Sequence, residues 1–76
     1  MDLRELTKRE KEVFYLFVNE GLDTQEIANR LIIDITTART HFNLVFQKLY
    51  YFGKNRRAKL LVDYYKEKIR ELRVNK

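Results

Sequence analysis

The stretch DTQEIANRLIIDITTARTHFNLVFQKLY, running from Asp23 to Tyr50, decides the fold. Asp23-Thr24-Gln25-Glu26 carries the spacing of a capping box: the Asp23 side chain accepts from an orphan amide of the first turn and Glu26 reaches back. A short helix over 24–32 follows, with Ile27, Ala28 and Leu31 on its buried side. Asp34 is a second cap and opens a longer helix over 35–51. Only Ile32 to Asp34 separate the two, which forces a sharp crossing, the helix-turn-helix arrangement. Leu31-Ile32-Ile33 is β-prone, but it is too short for a strand and lies between two caps.

Upstream, Thr7-Lys8-Arg9-Glu10 repeats the capping-box pattern. Val13, Leu16 and Phe17, widened by Phe14 and Val18, then give an apolar face to a helix over 7–20, and Gly21 is its natural stop. Downstream, Gly53 interrupts and a fourth helix is expected over 55–73. The chain has 76 residues, no Pro and two Gly, too few turn residues for a sandwich or barrel. The expectation is all-α: one four-helix helix-turn-helix domain over residues 1–76. Hydrophobic residues at 45% are too many for a disordered tail. With no Cys and one His, neither a disulfide nor a Cys/His metal centre is expected. No apolar run spans a membrane, and Met1 is followed by charged residues rather than a leader, so a cytoplasmic protein is expected.

Charge and side-chain chemistry point to a partner. The net charge is +5, unevenly placed: seven basic against eight acidic residues up to Gly53 leave −1, and nine against three from Lys54 onward give +6. A concentrated positive field suits nucleic acid or anionic lipid. The third helix has two faces. Ala38, Phe42, Val45, Leu49 and Phe52 recur at helical spacing and read as core, whereas Thr36, Arg39, Thr40, Asn43 and Gln47 form a polar face free of acids. Such a face fits a major groove: Arg forks onto guanine O6/N7, Asn pairs with adenine N6/N7, and a Thr methyl meets the thymine methyl. The basic run Lys54, Arg56, Arg57, Lys59 is either a solvated helix start or a set of phosphate contacts, and its place beside that helix favours phosphate. Tyr50, Tyr51 and Phe52 read as core and interface rather than as a base-stacking platform. His41, beside Phe42 and Val45, reads as a packed side chain with one satisfied nitrogen.

The sequence resembles the LuxR-type helix-turn-helix transcriptional regulators. Leu6-Thr7-Lys8-Arg9-Glu10-Lys11-Glu12-Val13, Glu20-Gly21-Leu22, Glu26-Ile27-Ala28, Thr37-Ala38-Arg39-Thr40-His41 and Lys48-Leu49 match that family's pattern in order and at spacing. The resemblance implies a third helix in the major groove and a fourth that makes a dimer. It implies base contacts at Arg39, Thr40 and Asn43, and phosphate contacts at Thr24, Thr37 and Lys48. Departures occur at Ile32, where a small residue is usual, at Asp34, where Ser is usual, and at Leu44, where Asn is usual. Tyr50-Tyr51-Phe52 also replaces the usual Gly-Val.

In the fourth helix Ala58, Val62, Tyr65, Ile69 and Leu72 alternate in steps of four and three, the seam of a short coiled coil, while Leu60, Leu61 and Tyr64 are placed to pack back on the domain. The expected protein is therefore a DNA-binding transcriptional regulator. Its partners are double-stranded DNA and a second copy of itself, with no cofactor, metal, membrane or small-molecule substrate. Paired carboxylates, an activated nucleophile and a phosphate-binding Gly loop are missing, so an enzyme is not expected. Two alternatives are a promoter-binding fragment like region 4 of a sigma factor, and a helix-turn-helix protein-interaction module that binds another regulator.

Overall fold

The computed structural model describes residues 1–74, so the last two positions of the expected 1–76 domain lie outside the described residues. Four helices follow in order: α1 (Lys8–Glu20), α2 (Thr24–Leu31), α3 (Ile35–Lys48) and α4 (Arg56–Val74). No strand occurs among the described residues.

Local chemistry starts the first three. The Glu10 amide donates to the Thr7 hydroxyl at 3.2 Å and the Thr7 amide to the Glu10 carboxylate at 3.0 Å. Asp23 and Glu26 repeat the exchange at 2.8 and 3.1 Å. Asp34 accepts from the Thr36 amide at 2.9 Å. Each exchange satisfies amides that the helix start leaves without partners, and such a cap contributes about 1 kcal/mol.

The same left-handed turn ends all three. Gly21 takes φ 68° after α1, Ile32 takes φ 56° after α2, and Tyr50 takes φ 63° after α3. In each case the next amide reaches back over the turn: Leu22 to the Leu16 carbonyl, Ile33 to Ala28, and Tyr51 to Phe46. After α2 and α3 this is the Schellman closure, and after α1 it is the simpler left-handed cap in which the Gly21 amide donates to the Phe17 carbonyl at 3.0 Å. Glycine normally occupies the turn position of either because an L side chain is strained there. Two of the three positions here carry Ile and Tyr instead.

The third turn corrects the expected length of α3, which stops at Lys48 rather than continuing to residue 51. With the helix ended, the periodicity that placed Phe52 in the core no longer holds. Phe52 is exposed, as is Tyr50, and Leu49 is only half-buried. Phe46 occupies the core position instead and is fully buried. Tyr51 packs partway into the domain, and its hydroxyl donates to Asp63 of α4 at 2.5 Å. That anchor lies across the fold, which is why the local sequence carries no stop signal.

The core gathers Leu6, then Val13, Phe14, Phe17 and Val18 of α1, Ile27 of α2, Phe42, Val45 and Phe46 of α3, and Leu60 and Tyr64 of α4. Phe42 and Phe46 stack with centroids 5.0 Å apart, and Phe17 meets Phe42 edge-on at 5.0 Å. Aromatic pairs in these arrangements add about 0.5–1.5 kcal/mol each beyond their buried area. α4 joins this core through its first half, and its hydroxyls reinforce the join: Tyr64 donates to Asn19 at 2.8 Å and Tyr65 to the Val18 carbonyl at 2.6 Å.

Candidate nucleic-acid interface

α3 buries Ala38, Phe42, Val45 and Phe46 and so turns Thr36, Thr37, Arg39, Thr40, Asn43 and Gln47 outward. Core packing thus sets the face that Arg39, Thr40 and Asn43 share. The Thr40 hydroxyl donates back to the Thr36 carbonyl at 3.1 Å. With that proton used inside the helix, Thr40 offers a partner its methyl and an acceptor lone pair.

The start of α4 lies against this face. Arg56 donates to the Asn43 side-chain oxygen at 2.6 Å, and its guanidinium carbon sits 4.4 Å from the centre of the Phe46 ring. Arg57 donates to the Thr24 hydroxyl at 3.0 Å and sits 4.5 Å from the Phe42 ring centre. Each arginine rests on a buried aromatic ring and reaches a polar residue of the helix-turn-helix, Arg56 on α3 and Arg57 at the first residue of α2. Because the Thr24 oxygen accepts from Arg57, its own proton is left to donate, the polarity a phosphate oxygen requires. Lys54 is exposed on the loop before α4, and Thr37 is exposed in the first turn of α3. Direct contact therefore joins two pairs, Arg56 with Asn43 and Arg57 with Thr24.

Lys48 has a partner the sequence does not announce. Its ammonium donates to Glu10 at 2.7 Å across 38 positions of chain. The Glu10 side chain is 4% exposed and that of Lys48 30%. Burial pushes the Glu10 carboxyl up in pKa, but Lys48, the Thr7 amide and His41 together outweigh it, and the group lies below the ordinary value of 4.5. One carboxylate oxygen of Glu10, Oε1, thus both caps the Thr7 amide and holds Lys48. The pair leaves the ammonium further donors for a phosphate. His41 is half-buried, as expected of a packed side chain, but its Nδ1 is buried without a partner rather than satisfied.

The α4 seam divides as its spacing implies. Leu60 and Tyr64 are buried, whereas Val62, Tyr65, Ile69 and Leu72 are 50, 49, 52 and 69% exposed, and Ala58 is exposed beside them. Tyr65 belongs to both surfaces, since its hydroxyl is tied to α1 while half of the residue faces out. Among the described residues there is no cluster of His, Cys, Asp or Glu that could hold a metal ion, and no helix is long and apolar enough to cross a membrane.

Two comparisons with known proteins agree with this geometry. The family described as bacterial regulatory proteins, luxR family, matches residues 4–59. The spore germination protein GerE of Bacillus subtilis (strain 168) is 46% identical over 50 residues, which is 66% of this chain and 66% of that protein. The chain thus matches just under two thirds of that relative's length. No solved structure matches.

Proposed function

The chain belongs to the luxR family of bacterial regulatory proteins, and from that premise we propose that it is a sequence-specific DNA-binding transcriptional regulator built as one helix-turn-helix domain and acting in the cytoplasm. α3 enters the major groove and presents Arg39, Thr40 and Asn43 to base edges. Thr24, Thr37, Lys48, Lys54, Arg56 and Arg57 meet phosphates on either side. The observation that carries this reading is the acid-free face of α3 flanked by two arginines of α4, Arg56 on Asn43 of that face and Arg57 on Thr24 at the start of α2. A basic rim around short polar readers separates positioning on the backbone from readout of bases. No catalytic role is assigned to any residue.

The exposed stripe Val62, Tyr65, Ile69 and Leu72 supports a homodimer through α4. Leu72 lies ~20 Å beyond Ala58 at ~1.5 Å per residue, and that end of the stripe needs a partner to leave water. A promoter-binding fragment of a sigma factor would have no use for such a stripe. A gel shift against genomic fragments at two salt concentrations tests the DNA reading. Each neutralised phosphate contributes a slope of about −0.9 in log K against log salt, so six contacts predict a loss of about three orders of magnitude between ~50 and ~200 mM. Binding insensitive to salt would instead indicate an apolar protein partner.

A further inference from the structure

We propose that Arg56 is a specificity-determining residue that acts through Asn43: it holds the Asn43 amide with its oxygen turned away from the groove, so that Asn43 reads bases as a donor and disfavours adenine. The inference rests on the DNA-reading role of Asn43 proposed above and assigns Arg56 a task beyond phosphate contact.

The chemistry of the contact fixes the amide. A guanidinium carries only donors, so the atom of Asn43 that meets Arg56 at 2.6 Å must be the oxygen. The amide nitrogen, with two hydrogens, is then the free end. Arg56 holds its position through packing. Its guanidinium lies 4.4 Å from the centre of the Phe46 ring, Phe46 is fully buried, and Arg56 itself is half-buried at the first turn of α4. The contact is charge-assisted and short, about twice as strong as a neutral hydrogen bond.

An unrestrained Asn pairs with adenine by two bonds, accepting from N6 and donating to N7. At Asn43 the oxygen needed for the first bond is already engaged by a cation. The remaining donor end matches edges that accept, guanine O6 and N7 or thymine O4, whereas at adenine it finds N7 alone and leaves the N6 donor unmet. Pairing with adenine would require the oxygen to leave Arg56 or to be shared with it. Arg56 therefore sets which bases Asn43 prefers without touching a base.

Selection of bound sites from random duplexes tests this, with the wild type, Asn43→Ala, Asn43→Asp and Arg56→Met compared. Asn43→Ala identifies the position read by Asn43 as the one whose preference disappears. The wild type should select guanine or thymine there. Arg56→Met, which keeps an unbranched chain over Phe46, should raise the share of adenine at that position about tenfold and leave the other positions unchanged. Asn43→Asp keeps a partner for Arg56 but removes the donor end, so it should lose guanine and thymine and gain cytosine, whose N4 donates. A wild type that already selects adenine at that position overturns the proposal. So does an Arg56→Met variant that weakens every site alike with unchanged preference, or an Asn43→Asp variant that keeps guanine or thymine. A wild type with no sequence preference overturns the DNA reading and this inference together. The side-chain amide resonances of Asn43 in the free protein, followed on Arg56→Met, separate the two failures: a shift shows that the Arg56–Asn43 contact exists even where DNA is not read.

Discussion

Replacing Ile32 by glycine should stabilise this protein. Ile32 closes α2 at φ 56° and ψ 51°, and 91% of it is exposed. A left-handed backbone brings Cβ against the following carbonyl and costs an L-residue about 1–2 kcal/mol. β-branching adds to the crowding. Glycine removes the clash but loosens the unfolded chain, which offsets about 0.5–1 kcal/mol. At 91% exposure the side chain contributes almost no buried area, so little else is lost. The net gain is about 0.5–1 kcal/mol, or a rise in Tm of about 2–8 °C for a domain of this size. Ile32→Ala keeps the Cβ and should fall below Ile32→Gly. Gly21→Ala is the converse: a Cβ there meets nothing within 4 Å at φ +68°, so any loss, expected at about 1 kcal/mol, is backbone strain alone. Thermal unfolding followed by far-UV circular dichroism, at one low protein concentration so that self-association does not move Tm, ranks the variants. If Ile32→Gly melts at or below Ile32→Ala, the strain argument is wrong; if it melts at or below the wild type, the Ile32 side chain has a stabilising role that offsets the strain.

Other outcomes follow from the Glu10 pair, the α3 face and the α4 stripe. The Glu10 carboxyl titrates below its ordinary value of 4.5, so its contribution is complete above that value and lost as pH falls through the lower folded value. Urea midpoints at neutral pH and at pH ~3 should therefore differ less in Glu10→Gln than in the wild type, and equal differences would remove the pair from the account. Arg39→Ala should cost about 1–3 kcal/mol of binding and relax preference at one base position. Lys48→Ala should weaken all sequences alike and flatten the salt slope by about one unit, so identical behaviour of the two variants would end the assignment of Arg39 to bases. Across the two-fold axis of the proposed dimer, Lys66, Arg70 and Arg73 should repel, and Glu71 is drawn partly towards Lys68 at 3.7 Å. The dimer should then be weak and should tighten with salt, while Ile69→Asp should be monomeric in sedimentation at every salt concentration.

Where the helices begin and which faces they bury is legible in the local sequence. Capping boxes act over three residues: Thr7 with Glu10, and Asp23 with Glu26. Helical spacing likewise placed Val13, Phe17, Phe42 and Val45 inside and Arg39, Thr40 and Asn43 outside, because a face is a property of one helix. The seam on α4 was legible for the same reason, down to the division between buried Leu60 and exposed Val62.

The features that the local sequence does not carry lie between elements. α3 stops at Lys48 although Leu49-Tyr50-Tyr51-Phe52 contains neither Gly nor Pro, because Tyr51 finds its partner on α4. Ile32 and Tyr50 adopt backbone conformations that neither favours, held by reverse-turn hydrogen bonds. Glu10 meets Lys48 across 38 residues, Asn43 meets Arg56 across 13 and Thr24 meets Arg57 across 33. Composition shows that these groups are charged or polar but not which of them are already engaged. Propensity and capping act over one turn of chain, whereas a contact between two helices exists only once both have been packed on the same core.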